Sequence, residues 1–103
     1  MNNKIEKAIA KQKFEPLKKM ADGRDESLKI EAIEAMGQVA GEESFNFLTV
    51  ALRDPSVSIR TAAAKGLGAL RNSKAAAFLS HQIQQETDED VRKLMQTALG
   101  QCH

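Results

Sequence analysis

The sequence predicts an all-α fold, a short right-handed α-solenoid of about three helical hairpins behind one leading helix. Three observations predict it. Apolar residues recur at the helical period in the middle of the chain, where Ile59, Ala62, Ala63, Gly66, Leu67 and Leu70 share one face. Pro occurs only at Pro16 and Pro55, and no stretch alternates apolar and polar residues long enough to make a strand. The third is a repeat. Leu28–Gly37 aligns with Ile59–Gly68 at an offset of 31, and that string aligns with Val91–Gly100 at an offset of 32. Each copy has an aliphatic start, a base next, a small residue seven positions on and an aliphatic–Gly ending. Sequence periods of about 20 to 50 residues signify stacked supersecondary units.

Taken in order, Ile5, Ala8 and Ile9 give a short amphipathic leading helix in residues 1–13. Phe14, Leu17 and Ala21 open the first repeat, residues 14–40, and the turn Asp22-Gly23-Arg24-Asp25 leads into its second helix. Phe45, Leu48, Ala51 and Leu52 begin the second repeat, residues 41–71, with Glu42 and Glu43 suited to a helix N-terminus. Phe14 and Leu17 lie 31 residues before Phe45 and Leu48, so the offset extends to the first helices. Asp54 is the expected N-cap of the next helix, with Pro55 at its first position. Asn72 and Ser73 mark a turn into the third repeat, residues 72–103. There Ala75, Phe78, Leu79 and Ile83 trace one helix, and Thr87-Asp-Glu-Asp90 starts the last. All this makes one domain. Gly inside a helix is about 1 kcal/mol worse than Ala. Its recurrence at Gly37, Gly68 and Gly100 therefore predicts close backbone approach between neighbouring helices.

Composition excludes several functions. Net charge is +1, which argues against nucleic-acid binding driven by overall charge. With no Trp or Tyr and four Phe, base-stacking platforms and aromatic hot spots are scarce. No apolar run approaches the roughly 18 residues of a spanning helix, so membrane insertion is not expected. The opening MNNKIEKAIAKQK is charged where a secretory signal would be apolar, and the single Cys102 forms no internal disulfide, so a reducing cytoplasmic setting is expected. His81 has no ligand-type neighbour at metal spacing, and Cys102–His103 is a terminal pair. Phosphate loops, nucleophile elbows and paired catalytic carboxylates are absent from the sequence. No metal, cofactor or catalytic residue is expected, and the chain reads as a non-enzyme.

The strings Ile59-Arg60-x-Ala62-Ala63-Ala64-x-Gly66-Leu67-Gly68 and Val91-Arg92…Ala98-Leu99-Gly100 resemble HEAT repeats, in the short-period form of the phycobilin lyases. The similarity covers residues 14–102. Its first repeat departs from the pattern, with Lys29 in place of Arg and Met36 in place of Leu. An acid five residues before the aliphatic position fits the family turn at Asp54 and at Glu86, while Asp22 sits one position early. The resemblance implies a non-catalytic scaffold whose second helices line a concave face that binds a partner protein. The subtype alone also suggests an accessory to a bilin lyase.

On that face the expected contact row is Ile30, Ile33, Glu34, Thr61, Ala64, Lys65, Lys93 and Gln96. Lys29, Arg60 and Arg92 form a periodic base row. It reads either as an anion-binding strip or as a structural ladder with Asp54, Glu86 and turn carbonyls. Ile30 and Ile33 stand where the other repeats have Thr61, Ala64, Lys93 and Gln96, while Glu31 takes the place of Ala62 and Leu94. Either that helix is rotated so that the two isoleucines pack on the leading helix, or they form an exposed apolar spot. Met20, Met36 and Met95 read as core atoms. Residues 1–24 carry a charge of +4 and the remainder −3. Nucleic acid or an anionic surface is therefore a second class of partner, through Lys4, Lys7, Lys11 and Lys13. The leading and last helices are expected to cap the stack, and homo-oligomer formation is the competing way to cover its ends.

Overall fold

Inner helices of this chain each begin with a polar side chain that caps their free N–H groups, and the outer helices do not. The computed structural model describes residues 2–102. It contains α1 (Asn3–Ala10), α2 (Glu15–Ala21), α3 (Glu26–Ala35), α4 (Glu42–Ala51), α5 (Val57–Leu70), α6 (Ala75–Gln85) and α7 (Glu89–Gln101). A 3-10 turn, Met36–Gln38, extends α3, and no strand occurs among the described residues. Helices α2, α4 and α6 form one layer, each packed on the helix that follows it, and α1, α3, α5 and α7 form the other. The side chains of Asn2, Asp25, Ser56 and Asp88 cap α1, α3, α5 and α7. Each such cap is worth about 1 kcal/mol. None of α2, α4 and α6 has a side-chain cap.

The start of α5 corrects the sequence expectation. Ser56, not Asp54, is its N-cap, and Pro55 lies in the turn rather than in the helix. The reason is local: the Asp54 carboxylate accepts the Ser56 N–H at 2.9 Å, which fixes the turn, and Ser56 Oγ then accepts from Ile59 N.

The repeat is visible in the core. Leu17, Leu48 and Leu79, one per outer helix and 31 residues apart, are fully buried. Ala32, Ala63 and Met95 form the matching column of the inner helices, also fully buried, and Met36 and Leu67 extend it. Burying a leucine stabilises by about 1.5–3 kcal/mol, so these columns are the main cohesive element.

Neighbouring inner helices meet backbone to backbone. A methyl group placed on Gly37 would lie 2.7 Å from Gly66 Cα, and one on Gly68 would lie 3.2 Å from Ala98 Cα. Close approach is therefore real at Gly37 and Gly68, and Gly66 supplies the other side of the first seam. Gly100 departs from the expectation: no described residue comes within 4 Å of where its side chain would be. Its two counterparts face the next pair along, and α7 has no next pair in the described chain.

The same direction of stacking explains which columns are buried. Ile33, Ala64 and Gln96 occupy one column; Ile33 is 2 % exposed, Ala64 0 %, and Gln96 exposed. The first two face the following pair and the last faces solvent. Glu31, Ala62 and Leu94 occupy the opposite column, facing the preceding pair, and Glu31 stays exposed because only the short α1 precedes it. Ile33 therefore packs toward the second pair, alongside Ile59 and Phe47, and neither rotates onto α1 nor forms an exposed spot. Helix α1 buries Ile5 and Ala8, and Gln12 ties its end down: Gln12 Nε2 donates to Gln38 O at 2.7 Å, and Gln12 Oε1 accepts from Ala40 N at 2.8 Å.

Candidate partner-binding face

Second helices bring part of the expected contact row together. Ile30 and Glu34 on α3, Thr61 and Lys65 on α5, and Lys93 on α7 remain partly or fully accessible. Glu34 and Lys65 approach to 3.9 Å across the α3–α5 seam, and Lys93 has no ion-pair partner among the described residues. Thr61 Oγ1 donates back to Val57 O at 2.9 Å, which leaves mainly its methyl for contact. Ile33 and Ala64 must be removed from the row, because both are sealed between neighbouring pairs. Gln96 is accessible but stands in their column, at the open end of the stack rather than along the strip. Beside the strip a groove of about 340 Å³ runs between α1, α3 and α5, with Ile9 and Ala69 on its walls and Glu34 and Lys65 on its rim.

The base row divides into three situations. Arg60 binds Glu86 with both arms of its fork, Nε to Oε1 at 2.7 Å and Nη2 to Oε2 at 2.9 Å. Its remaining nitrogen donates to the carbonyls of Asp54 and Pro55, both at 3.0 Å. The Arg60 guanidinium, through these hydrogen bonds, holds the Glu86 carboxyl below the usual glutamate range, and Glu86 in turn raises Arg60. Arg92 reaches the same turn, donating to Glu86 O at 2.9 Å, with Glu89 as a surface partner at 2.9 Å. Arg60 is thus consumed in holding the second and third pairs together, and Arg92 in holding the turn. Lys29 makes no ion pair among the described residues.

That third situation opens a feature absent from the sequence reading. Asp54 is the counterpart of Glu86: each accepts an N–H two residues on, from Ser56 and from Asp88. Lys29 and Asp54 should therefore clamp the first junction as Arg60 and Glu86 clamp the second, and they do not meet. Instead both line a groove of about 780 Å³ between the first and second pairs. Its apolar lining includes Phe14, Phe47 and Val50, and Val50 is 63 % exposed. Phe14 and Phe47 meet edge to face at 6.1 Å across it, and Phe45 and Phe78 repeat that contact at 5.8 Å in the second junction. The signal was present in the Lys at position 29, where the other repeats have Arg, and in the shorter acid at 54.

Burial pushes the Cys102 thiol up, away from the thiolate form. No group of three or more His, Cys, Asp or Glu able to hold a metal occurs among the described residues, and His103 lies outside them, so the terminal Cys–His pair has no structural account. Among the described residues no helix is long and apolar enough to cross a membrane. A family model described as HEAT repeats matches residues 14–100. No curated protein matches the chain.

Proposed function

The chain belongs to the HEAT-repeat family, and from that premise we propose that it is a non-catalytic scaffold that binds a partner protein along the inner helices. Repeats of this family generally mediate protein–protein interaction and typically carry no chemistry. One observation carries the placement: Ile30, Glu34, Thr61, Lys65 and Lys93 are accessible on the three inner helices α3, α5 and α7, and apart from the Thr61 hydroxyl, which bonds within its own helix, the fold uses none of their polar ends in a tight contact. The close approach of the inner helices at Gly37, Gly66 and Gly68 supports taking that layer as the concave side of the stack. A reducing, cytoplasmic setting suits the single half-buried thiol.

Reversing Lys65 and Lys93 together to Glu tests this placement. Affinity capture from native lysate with the full chain should retain one or more proteins that the double variant loses, with both melting at the same temperature. Retention of the same set by both proteins would remove the strip from the interface.

A second reading rests on a separate observation. Lys4, Lys7, Lys11 and Lys13 are all exposed and none has an ion-pair partner among the described residues. Nucleic acid or an anionic surface would then bind the leading helix, with an affinity that falls steeply as salt rises.

A further inference from the structure

The two junctions of the stack are built to one plan and the first of them is the more open. Where Arg60 and Glu86 join the second pair to the third, the carboxylate is 1 % exposed, and the cleft is split into about 230 Å³ beside the ion pair and about 310 Å³ beside Phe78. Where Lys29 and Asp54 occupy the same places, the two parts run together into one larger groove of about 780 Å³. Small side-chain differences go with this. Lysine has no fork to grip a carboxylate with two bonds, and aspartate is one methylene shorter than glutamate. The opening is bounded by apolar atoms that a monomer gains nothing by wetting, Phe14, Phe47 and Val50 above Ile33 and Ile59.

Charge on the rim defines what would enter. Lys18 is already paired with Asp22 at 3.0 Å. What remains is Glu26, Glu43 and Asp54 against Lys29 alone, an excess of acid around an apolar floor. No unpartnered buried polar atom lines the groove, as a site shaped for a small polar molecule would have, because Ser44 Oγ is the one such atom among the described residues and lies elsewhere. A second copy of this chain is a poor occupant. Its basic part, residues 1–24, has Ile5, Ala8, Leu17 and Ala21 buried, so it offers charge with little free apolar anchor.

We propose that the open junction between the first and second helical pairs docks a peptide segment of a partner protein that presents an aliphatic or aromatic side chain next to a lysine or arginine. The apolar side chain sits against Phe14, Phe47 and Val50, and the base meets Glu26 and Glu43. This shares with the scaffold reading only that the ligand is a protein. It uses no residue of the inner strip, so the Lys65 and Lys93 capture experiment and the groove test succeed or fail separately.

The test is a random-peptide display library panned on the immobilised full chain, followed by calorimetric titration of the enriched peptides. The variants are Val50→Lys and the pair Glu26→Gln with Glu43→Gln. Val50 is exposed near the end of α4, where a lysine suits the helix dipole, so the first variant keeps the fold. Enriched peptides should pair an apolar residue with a neighbouring base. Their affinity should fall about tenfold or more with Val50→Lys, the scale of losing an interface anchor, and severalfold with the glutamine pair. The melting temperature should stay in place with Val50→Lys, and should fall by a few degrees with the glutamine pair, which removes a first-turn acid from α3 and another from α4, without unfolding the chain at the titration temperature. The proposal is overturned if no peptide is enriched, if the enriched set is acidic or lacks an apolar residue, or if Val50→Lys binds as the parent does. It is also overturned if sedimentation equilibrium shows a dimer that Val50→Lys dissolves, since the groove then belongs to a second copy.

Discussion

Glu86 is a charged side chain almost wholly removed from water, and it stays charged because three hydrogen bonds, two of them from a guanidinium, replace the water it has lost. Both oxygens accept from Arg60, and one also accepts the Asp88 N–H at 3.0 Å. Its carboxyl is therefore held below the ordinary glutamate value of about 4.5. A depressed folded-state value means the pair stabilises fully above the unfolded value, and the stabilisation is lost as pH falls from there through the folded value. Glu86→Gln should lower stability near neutral pH by about 1–3 kcal/mol, because a charge-assisted contact is lost. It should also flatten the fall in stability below the ordinary glutamate range. Denaturant melts of parent and variant across the acid range read both effects. Parallel acid limbs would mean that Glu86 is not the group being titrated. The base was readable from the repeat spacing, and the acid from the resemblance to the HEAT-repeat turn. That Arg60 would also hold two carbonyls of its own turn was not, because the turn geometry depends on Asp54 capturing Ser56 rather than capping α5.

At the scale of the element, each pair of helices is legible in the sequence through its leucine and alanine columns, since burial at a fixed period leaves few alternatives. What was not legible is which flank of a helix faces forward along the stack. Ile33 and Ala64 look like surface residues when a helix is viewed by itself, since they lie off the stripe that faces its own partner. A helix inside a stack has neighbours on three sides, and the forward neighbour covers both. Gln96, in the same column, is exposed, since no described residue packs against that flank of α7. The junctions give a test at this scale. Replacing Lys29 by Arg and Asp54 by Glu together should rebuild the clamp of the second junction in the first. The expected gain is about 1 kcal/mol, the net value of a hydrogen-bonded contact. For a domain of this size that is a rise in melting temperature of about 4–8 °C. An unchanged or lower melting temperature in a scanning calorimeter would show that the two junctions are not equivalent.

The whole molecule behaves as a short one-dimensional array, in which each pair is stabilised by its own core and by the neighbours it touches. Three pairs make only two seams, and both run through residues without side chains: Gly37 against Gly66, and Gly68 against Ala98. The leading helix adds a partial third contact through Ile5, Ala8 and the Gln12 clamp. The repeat offsets were enough to predict this arrangement. They also led to an expected close approach at Gly100, which keeps the sequence of its counterparts while no described residue comes near it. That difference makes the most direct test of the stack. Thermal melts of Gly37→Ala and Gly100→Ala, each in the full chain, compare a glycine inside a seam with its counterpart outside one. Forcing a methyl into the Gly66 backbone should cost about 1–3 kcal/mol. The same change at Gly100 should leave stability unchanged or raise it by up to about 1 kcal/mol through helix propensity alone. Equal losses at both positions, or a loss at Gly100 alone, would contradict the account of helical pairs stacked through a glycine seam.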